Sequence, residues 1–270
     1  MIFAFDMDQT MIFSRNSMGP ADETELVPVE SIDGKEHSFM TRKAAASLRG
    51  LHENALFVPA TTRTPEQYER IHGVSADLRP RYAVVSNGGR VLVDGQSDVS
   101  WENGMKAALR SRCAPREEID GLFDKLVPEG MVRRKDLCDG LFYSILVDRE
   151  RIPIEFMEEL TDLLRDSRWT SSLQGRKLYL VPEPVSKGAG LRYVKELAGA
   201  SFAFAAGDSL LDESLLEAAD DGIAPRHGEL FRKYGANGTI KFTQLAGIGA
   251  SEEILEAAAA YWEVNERYVR

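Results

Sequence analysis

The chain has 270 residues, of which 43% are hydrophobic and 28% are charged, the balance of an ordinary soluble globular protein. That is enough for one large domain or two modest ones, and it is too apolar for a disordered chain. Acidic residues outnumber basic ones by 43 to 33, and the net charge of −10 argues against broad binding to nucleic acids or anionic membranes.

Targeting signals and cysteines point to the compartment. No apolar run approaches the roughly 20 residues that a membrane-spanning helix needs. The N-terminal sequence lacks the basic region and the small-residue cleavage site of a secretory signal. The two cysteines, Cys113 and Cys138, form neither a disulfide framework nor a zinc-binding spacing. We therefore predict a cytoplasmic protein with no nucleic-acid or membrane partner.

Strand-like and helix-like segments alternate in the first 90 residues, which predicts an α/β fold with a sheet flanked by helices. Asp33-Gly34 favours a tight hairpin turn between two of the strands. Thr41 is predicted to cap a helix that extends to Glu53, and another helix is predicted to begin near Pro65. The predicted strands are Ile2–Phe5, Leu26–Ile32, 35–40, 55–60 and 82–86.

The rhythm changes after residue 90, where strand candidates at 141–147 and 177–181 are separated by charged, helix-like stretches. We predict that residues 91–182 form an inserted, smaller α/β domain and that residues 1–90 and 183–270 form the core. The first pattern then resumes with a helix over 188–197 and a strand over 201–206. Ser251 is predicted to cap a C-terminal helix with one apolar face. That face is predicted to hold Leu255, Ala258, Ala259 and Trp262.

Four polar clusters fall at strand ends or helix starts, and in open α/β sheets ligands bind at the carboxyl ends of the strands. The first cluster holds Asp6 and Asp8, which follow the first strand. Two neighbouring carboxylates repel each other unless a cation neutralises them, and a few hard oxygen ligands with open positions suit Mg²⁺. The alternative interpretation is an Asp-rich turn.

The second and third clusters are typical of phosphate binding. The hydroxyls of Thr61 and Thr62 can donate to a phosphoryl oxygen, and Arg63 can pair with an anion through two hydrogen bonds. A simple helix cap before Pro65 is the alternative. Lys187, at a helix start, can neutralise carboxylates and an incoming phosphate, although most single lysines are solvated.

The fourth cluster follows the strand at 201–206. Gly207 permits a sharp turn, and Asp208 is placed to complete an oxygen shell with Asp6 and Asp8. Asp212 lies one helical turn further on, where it can support the ligands from outside the shell. The alternative is an acidic helix N-terminus that complements the helix dipole.

Taken together, the ordered residues resemble the four motifs of the haloacid dehalogenase superfamily of phosphatases. These residues are Asp6, Asp8, Thr10, Thr61, Arg63, Lys187, Gly207, Asp208 and Asp212. The insertion resembles the Cof-like branch, which includes sucrose-phosphate and mannosyl-phosphoglycerate phosphatases. The resemblance implies a Rossmann-like catalytic core and an inserted α/β cap domain. Three features depart from the pattern: Thr62 replaces a usual glycine, Leu210-Leu211 replace a usual Gly-Asn, and the segment Ser14–Met40 after the first motif is longer than usual.

The resemblance also implies roles for single residues. Asp6 would be the nucleophile that forms an aspartyl-phosphate, and Asp8 the general acid and base. Mg²⁺ would be held by the Asp6 carboxylate, the Asp8 backbone carbonyl and Asp208, with Asp212 in support. Thr10 would also orient the first loop. The predicted substrate- and phosphate-binding residues are Thr10, Thr61, Thr62, Arg63, Asn87 and Lys187.

The leading hypothesis is a Mg²⁺-dependent phosphomonoester hydrolase that acts on a small phosphorylated metabolite, foremost a sugar phosphate. A phosphosugar mutase would use the same aspartyl-phosphate intermediate. A degenerate phospholigand-binding regulatory protein is the alternative outside enzymes, and Leu210-Leu211 leave room for it. Free phosphate as the product favours hydrolysis, and an isomerised sugar phosphate favours the mutase. The regulatory alternative is disfavoured by four intact motif residues, Asp6, Asp8, Lys187 and Asp208.

Overall fold

The computed structural model describes residues 1–235 and 238–265. Its strands are β1 (Ile2–Phe5), β2 (Phe13–Ser14), β3 (Leu26–Ile32), β4 (Lys35–Thr41), β5 (Leu56–Pro59), β6 (Tyr82–Val85), β7 (Arg90–Val93), β8 (Gln96–Ser97), β9 (Val132–Cys138), β10 (Phe142–Val147), β11 (Trp169–Gln174), β12 (Lys177–Pro182), β13 (Ala203–Ala206), β14 (Asp221–Ala224) and β15 (Lys241–Phe242). Its helices are α1 (Arg42–Asn54), α2 (Pro65–Glu69), α3 (His72–Ser75), α4 (Val99–Arg112), α5 (Arg116–Leu126), α6 (Phe156–Arg165), α7 (Lys187–Ala198), α8 (Glu213–Glu217), α9 (Glu229–Tyr234) and α10 (Gly249–Asn265).

The chain divides into two compact units, one made of Met1–Asp98 with Ser186–Arg270 and the other of Val99–Val185. The first unit is built on a parallel sheet with the strand order β15-β14-β13-β1-β5, and helices α1, α8 and α10 contact its strands. The predicted α/β fold, with a parallel sheet flanked by helices, is confirmed.

Strand β1 lies between β13 and β5, and all four of its residues are buried. A continuous apolar run is typical of such a strand, because both faces of a parallel sheet are covered. Phe5 lies opposite Ala206 on one side and Pro59 on the other. The three strands therefore end level, and the residues that follow them meet at one edge.

Aromatic rings fill much of the core of this unit. Phe3 and Phe5 of β1 contact Phe57, Phe204 and Trp262, with ring centroids 5.9–6.4 Å apart. Tilted and edge-on ring pairs of this kind stabilise a core beyond the area that they bury. The position of β1, and of the residues that follow it, is fixed by this packing.

The predicted hairpin is confirmed, and β3 pairs with β4 in an antiparallel ladder. Asp33 and Gly34 both have positive φ, 51° and 74°, as the tightest hairpin turns require. The ladder is irregular near Glu30, where the register shifts on both sides of the residue. Strand β2 pairs with the other edge of β4 and completes a three-stranded sheet.

Two predicted helix starts in the first unit are confirmed. Thr41 caps α1, since its hydroxyl accepts a hydrogen bond from Ala44 N at 3.0 Å. Pro65 is the first residue of α2, where its missing N–H costs nothing because that donor would have no partner in the helix.

The C-terminal helix is present, but the predicted cap is wrong. Helix α10 begins at Gly249, so Ser251 lies inside it and its hydroxyl donates to Ile248 O at 2.7 Å. Ala259 is exposed, whereas Leu255 and Ala258 are buried as predicted. With 17 residues, α10 is the longest helix described. Among the described residues, no helix has the length and apolar character to cross a membrane.

Strands β7 and β8 continue a small antiparallel sheet that begins with β6. A parallel bridge between Ala60 and Val84 joins this sheet to the edge of the parallel one. The insertion was predicted to begin at residue 91, but these strands keep the chain in the first unit until Asp98. The turn at Asn87, Gly88 and Gly89 closes a hairpin rather than leading into a linker.

The second unit has its own antiparallel sheet, with the strand order β11-β12-β10-β9. Strands β10 and β12 confirm the predictions at 141–147 and 177–181. The unit also has its own apolar core, in which side chains from α5, α6 and the sheet are buried. Trp169 is part of this core, and its indole N–H donates to Ala114 O at 3.0 Å. Its role as a cap domain stays a prediction.

Candidate active site

Three of the predicted clusters follow neighbouring strands of the parallel sheet. Asp6 follows β1, Thr61 lies just beyond β5, and Asp208 lies just beyond β13. Lys187, the first residue of α7, reaches the same edge, where its amino group contacts Asp6. The structure therefore brings together residues that lie some two hundred positions apart in sequence.

Lys187 is buried between two carboxylates. Its Nζ donates to Asp6 Oδ1 at 2.6 Å and to Asp212 Oδ1 at 2.5 Å, and the side chain is 1% exposed. Burial by itself would lower the pKa of Lys187, but the attraction of Asp212 and Asp6 outweighs it and the pKa is raised. Lys187 is thus a buried, permanently charged group and not a solvated surface lysine.

Two glycines make this arrangement possible. Gly88 has φ +87°, and a Cβ there would lie 2.0 Å from the carbonyl oxygen of Ser186, the residue that caps α7. At Gly207, a Cβ would lie 2.3 Å from the Cβ of Asp212. Only a residue without a side chain permits such close approach. The helix start that bears Lys187 and the carboxylate of Asp212 are thereby set against the sheet edge.

The buried carboxylates carry more negative charge than Lys187 compensates. The pKa of Asp6 is raised to about 7, chiefly by burial. The positive charge of Lys187 offsets part of this shift, and the negative charge of Asp212 adds to it. Burial also raises the pKa of Asp208 well above its usual range, and repulsion from Asp6 and Asp212 adds to the shift. A further cation at this position would relieve the repulsion.

The geometry of the three carboxylates fits a small divalent cation. One oxygen from each of Asp6, Asp208 and Asp212 lies within 4.8 Å of the others, and all three residues are buried. Both oxygens of Asp212 already accept hydrogen bonds, one from Lys187 and the other from the N–H and hydroxyl of Ser209 at 3.0 and 2.7 Å. Both oxygens of Asp6 also accept hydrogen bonds, from Lys187 and Thr10. Which of the three carboxylates would bind the cation directly, and the supporting role of Asp212, stay predictions.

Thr10 and the loop at Thr61 complete the surroundings of Asp6. The Thr10 hydroxyl donates to Asp6 Oδ2 at 3.2 Å. Thr61 is fully buried, and its hydroxyl oxygen accepts from Arg63 N at 3.1 Å, so its own proton is left to donate. Asn87 is also buried, and its backbone N–H donates to Thr61 O at 2.9 Å. Thr62 is half-buried in the same loop.

Arg63 lies against two carboxylates. Its Nε and Nη2 donate to the two oxygens of Asp8 at 2.8 and 2.7 Å, in a bidentate pair. Its Nη1 and Nη2 also donate to Glu30, at 2.6 and 3.0 Å. Nη1 also donates to Gln67 O at 3.3 Å. The predicted role of Arg63 as a phosphate ligand stays a prediction, and in this structure its N–H groups donate to Asp8, Glu30 and Gln67.

Sequence reasoning missed two residues that touch the first loop. Glu30, from the hairpin, reaches Arg63 as described. His227 sits beyond β14, and its Nε2 lies 2.9 Å from Gln9 O, while its Nδ1 accepts from Gly247 N at 3.0 Å. Because Nδ1 accepts, the proton is assigned to Nε2, which donates to Gln9. Neither residue belongs to a motif with a recognisable spacing.

Comparison with known proteins identifies the family. The sequence profile of the sucrose-6F-phosphate phosphohydrolase family matches residues 1–229. The chain belongs to this family. It is a phosphatase of the haloacid dehalogenase superfamily, as the resemblance of its motifs predicted. Comparison with curated protein sequences gave no match.

Solved structures share the fold of this sucrose-phosphatase family member. The sucrose-phosphatase of Synechocystis, solved with sucrose and phosphate, is 19% identical with a TM-score of 0.66, over 96% of this chain and 97% of that chain. A subclass IIB sugar phosphatase of the same superfamily is 13% identical with a TM-score of 0.62, over 97% and 99%. A trehalose-6-phosphate phosphatase related protein is 18% identical with a TM-score of 0.56, over 97% and 98%.

The raised pKa of Asp6 predicts a pH-dependent stability for the metal-free protein. Asp6 has a pKa of about 7 when folded and an ordinary value of 3.8, so between these values the folded state binds the additional proton. Stability then falls as the pH rises, by about 2 kcal/mol between pH 5 and pH 7. Urea unfolding in a chelator should show this decline in the wild type and a shallower one in Asp6→Asn. If the free energy of unfolding declines equally with pH in the two proteins, the pKa of Asp6 is not raised by folding.

Proposed function

We propose that this member of the sucrose-phosphatase family is a Mg²⁺-dependent hydrolase of sugar phosphates that works through an aspartyl-phosphate on Asp6. One observation supports this above all. The Asp6 carboxylate is buried at the end of β1, paired with Lys187, and within 4.8 Å of an oxygen of Asp208. A nucleophile, a fixed positive charge and a cation site thus coincide at one sheet edge.

The first half of the reaction transfers the phosphoryl group to the protein. A carboxylate oxygen of Asp6 attacks phosphorus, and the bond from phosphorus to the sugar oxygen breaks. Asp8 donates its proton to that leaving oxygen, a contribution of about 10²–10⁴-fold in rate. Lys187 and Thr61 stabilise the charge on the phosphoryl oxygens. Positioning and charge neutralisation of this kind supply most of the catalysis in phosphoryl transfer.

The second half releases phosphate. Asp8, now a carboxylate, takes a proton from water while the water oxygen attacks phosphorus. The bond from phosphorus to Asp6 then breaks, and both carboxyl groups return to their starting states. Splitting one displacement into two in this way makes each step easier. A Mg²⁺ ion held by Asp6, Asp208 and the Asp8 carbonyl, with Asp212 in support, would neutralise phosphoryl charge in both halves.

The substrate class follows from the family and from one solved neighbour. The family takes its name from sucrose 6F-phosphate, and the Synechocystis sucrose-phosphatase was solved with sucrose and phosphate. We infer that a phosphorylated sugar is the substrate of this chain. Sucrose 6F-phosphate is the first compound to test, beside other sugar phosphates.

The test is a panel of phosphate esters with Mg²⁺ present or chelated. Free phosphate is expected in Mg²⁺ only, with one equivalent of the dephosphorylated sugar. An isomerised sugar phosphate as the sole product would identify a mutase, and binding without turnover would identify a regulatory protein. Either result would overturn the hydrolase assignment.

Mg²⁺ binding is expected to depend on Asp208. Replacing Asp208 with Asn removes one of the two direct carboxylate ligands and should weaken Mg²⁺ affinity at least about 10-fold. Calorimetric titration of Mg²⁺ measures this without any substrate. Asp33→Asn, in the exposed hairpin turn, serves as the matched control and should bind Mg²⁺ like the wild type. Equal affinities in all three proteins would place the cation elsewhere.

A further inference from the structure

Glu30 is a buried carboxylate that none of the motifs includes. It lies on the hairpin strand β3, and its side chain is 1% exposed. Burying a charge is costly unless it is paired and hydrogen-bonded. Glu30 accepts hydrogen bonds from Arg63 and, at 2.5 Å, from the hydroxyl of Ser38. Burial, the largest influence, would raise the pKa of Glu30, but the contacts with Arg63 and Ser38 outweigh it and the pKa is lowered. Glu30 is therefore a charged group held in place.

The hairpin is built irregularly at this residue. Pro28 lies opposite Phe39 and Glu30 opposite Ser38, so the ladder skips Val29 on β3. Ser31 then lies opposite Glu36, so the ladder skips one residue on β4 as well. Irregularities of this kind re-aim the side chains beside them. Val29 and Glu30 are both buried, although consecutive residues of a regular strand point to opposite faces. The irregularity lies at the point where Glu30 is buried opposite the serine that binds it.

Exposure rises along the chain of contacts from Glu30 to Asp8. The Glu30 side chain is 1% exposed, that of Arg63 12% and that of Asp8 47%. The Asp8 carboxylate would be free to rotate in so open a position. Instead, both of its oxygens are paired with the planar guanidinium, a geometry that fixes orientation as well as charge. Glu30 fixes the guanidinium in turn, because Nη2 donates to both residues.

We propose that Glu30 is a positioning residue for acid–base catalysis: it holds Arg63, which holds the Asp8 carboxylate in the orientation that proton transfer requires. This inference rests on the proposed function, in which Asp8 protonates the leaving oxygen. It assigns the hairpin a part in the reaction, through a residue that touches neither phosphate nor metal. It also gives Arg63 a role distinct from binding phosphate.

The leaving group distinguishes this role from a structural one. An alkyl ester such as sucrose 6F-phosphate needs its leaving oxygen protonated, whereas p-nitrophenolate is stable enough to leave without a proton. A misplaced Asp8 therefore slows the alkyl ester and spares the aryl ester. General loss of structure, or of phosphate binding, slows both. The ratio kcat/KM reports the steps up to aspartyl-phosphate formation, whichever later step limits kcat.

The experiment compares Glu30→Gln with the wild type on both esters in Mg²⁺. We expect kcat/KM to fall about 10–100-fold for the sugar phosphate and less than about 3-fold for p-nitrophenyl phosphate. Glu36→Gln, an exposed carboxylate on the same hairpin, is the matched control and should leave both values unchanged. An equal fall for both esters in Glu30→Gln would show a structural role and overturn the inference.

Arg63→Lys keeps the positive charge but cannot pair with both oxygens of Asp8. This variant serves as the test if Glu30→Gln does not fold. We again expect kcat/KM to fall for the sugar phosphate and to change little for p-nitrophenyl phosphate. Inhibition by inorganic phosphate should be as strong as in the wild type. Weaker phosphate inhibition together with an equal loss on both esters would make Arg63 a phosphate ligand instead.

Asp8→Asn separates this inference from the proposed function. It should show the leaving-group selectivity most strongly, because it removes the acid itself. If Asp8→Asn is selective and Glu30→Gln is not, only the inference about Glu30 fails. If Asp8→Asn slows both esters equally, the acid–base role of Asp8 in the proposed function fails as well.

Discussion

Asp6→Asn is expected to lower phosphate release at least about 10⁴-fold, because an amide oxygen cannot form the aspartyl-phosphate. The fold should persist, since Asn has the same shape and can still accept a hydrogen bond from Lys187. Burial and repulsion from Asp6 raise the pKa of Asp208, and the substitution removes that repulsion. The metal-free variant should therefore unfold at the same temperature as the wild type or at a higher one.

Phosphate release, circular dichroism and thermal unfolding in a chelator are the measurements. Asp33→Asn, the same chemical change at an exposed turn, should retain full activity. Turnover that is equal in Asp6→Asn and the wild type would show that Asp6 is not the nucleophile.

Lys187→Met is expected to destabilise the metal-free protein by about 3–5 kcal/mol at neutral pH and to abolish turnover. The substitution preserves the length of the side chain but leaves Asp6 and Asp212 buried without their cation. Breaking a buried ion pair costs far more than breaking an exposed one, for the remaining charge has no solvent to stabilise it. Adding Asp212→Asn should restore part of the stability, because it removes one of the unpaired charges.

Urea unfolding provides the free energies. Lys43→Met is the matched control, since Lys43 is 59% exposed and pairs with Glu252 and Glu256 on the surface. Exposed pairs of this kind contribute about 0–1 kcal/mol, so this variant should be nearly as stable as the wild type. If the two lysine variants lose equal stability, the charge balance described for the site is wrong.

The parts of the site that were predictable share a local signal. An apolar run followed by Asp6 and Asp8 has the pattern of a buried parallel strand that ends in ligands, and Asp33-Gly34 identifies its own turn. Strand-end placement then brings the clusters together, because parallel strands end at the same edge. The α/β fold and the family were predictable for this reason.

The burial of Lys187 was not predictable from its surroundings in sequence. A lysine at a helix start is expected to be solvated. The burial of Lys187 depends on the close approach of Gly88 to Ser186, almost a hundred residues away in sequence. That contact is a property of the assembled sheet. The same holds for the strands β7 and β8. Because β7 pairs with β6, and β8 with β7, the first unit extends to Asp98, whereas the predicted boundary was residue 90.

The burial of Glu30 was missed, and the predicted cap at Ser251 was wrong, because of local features of the chain. Glu30 follows the buried Val29, so strand alternation predicts an exposed side chain, but Arg63 and Ser38 bind it and it is buried. Pro28, unusual inside a strand, was the available sign of irregularity. Ser251 has the residue type of an N-cap, but α10 starts two residues earlier and the hydroxyl bonds back to Ile248 O.

An aspartyl-phosphate on Asp6 can be trapped and located. In Asp8→Asn, p-nitrophenyl phosphate should still phosphorylate the protein, because its leaving group needs no proton, while the release step lacks its base. Acid quenching followed by peptide mass spectrometry is expected to find one phosphoryl group on Asp6. A phosphoryl group on any other residue, or steady phosphate release from a protein that never becomes phosphorylated, would contradict the mechanism.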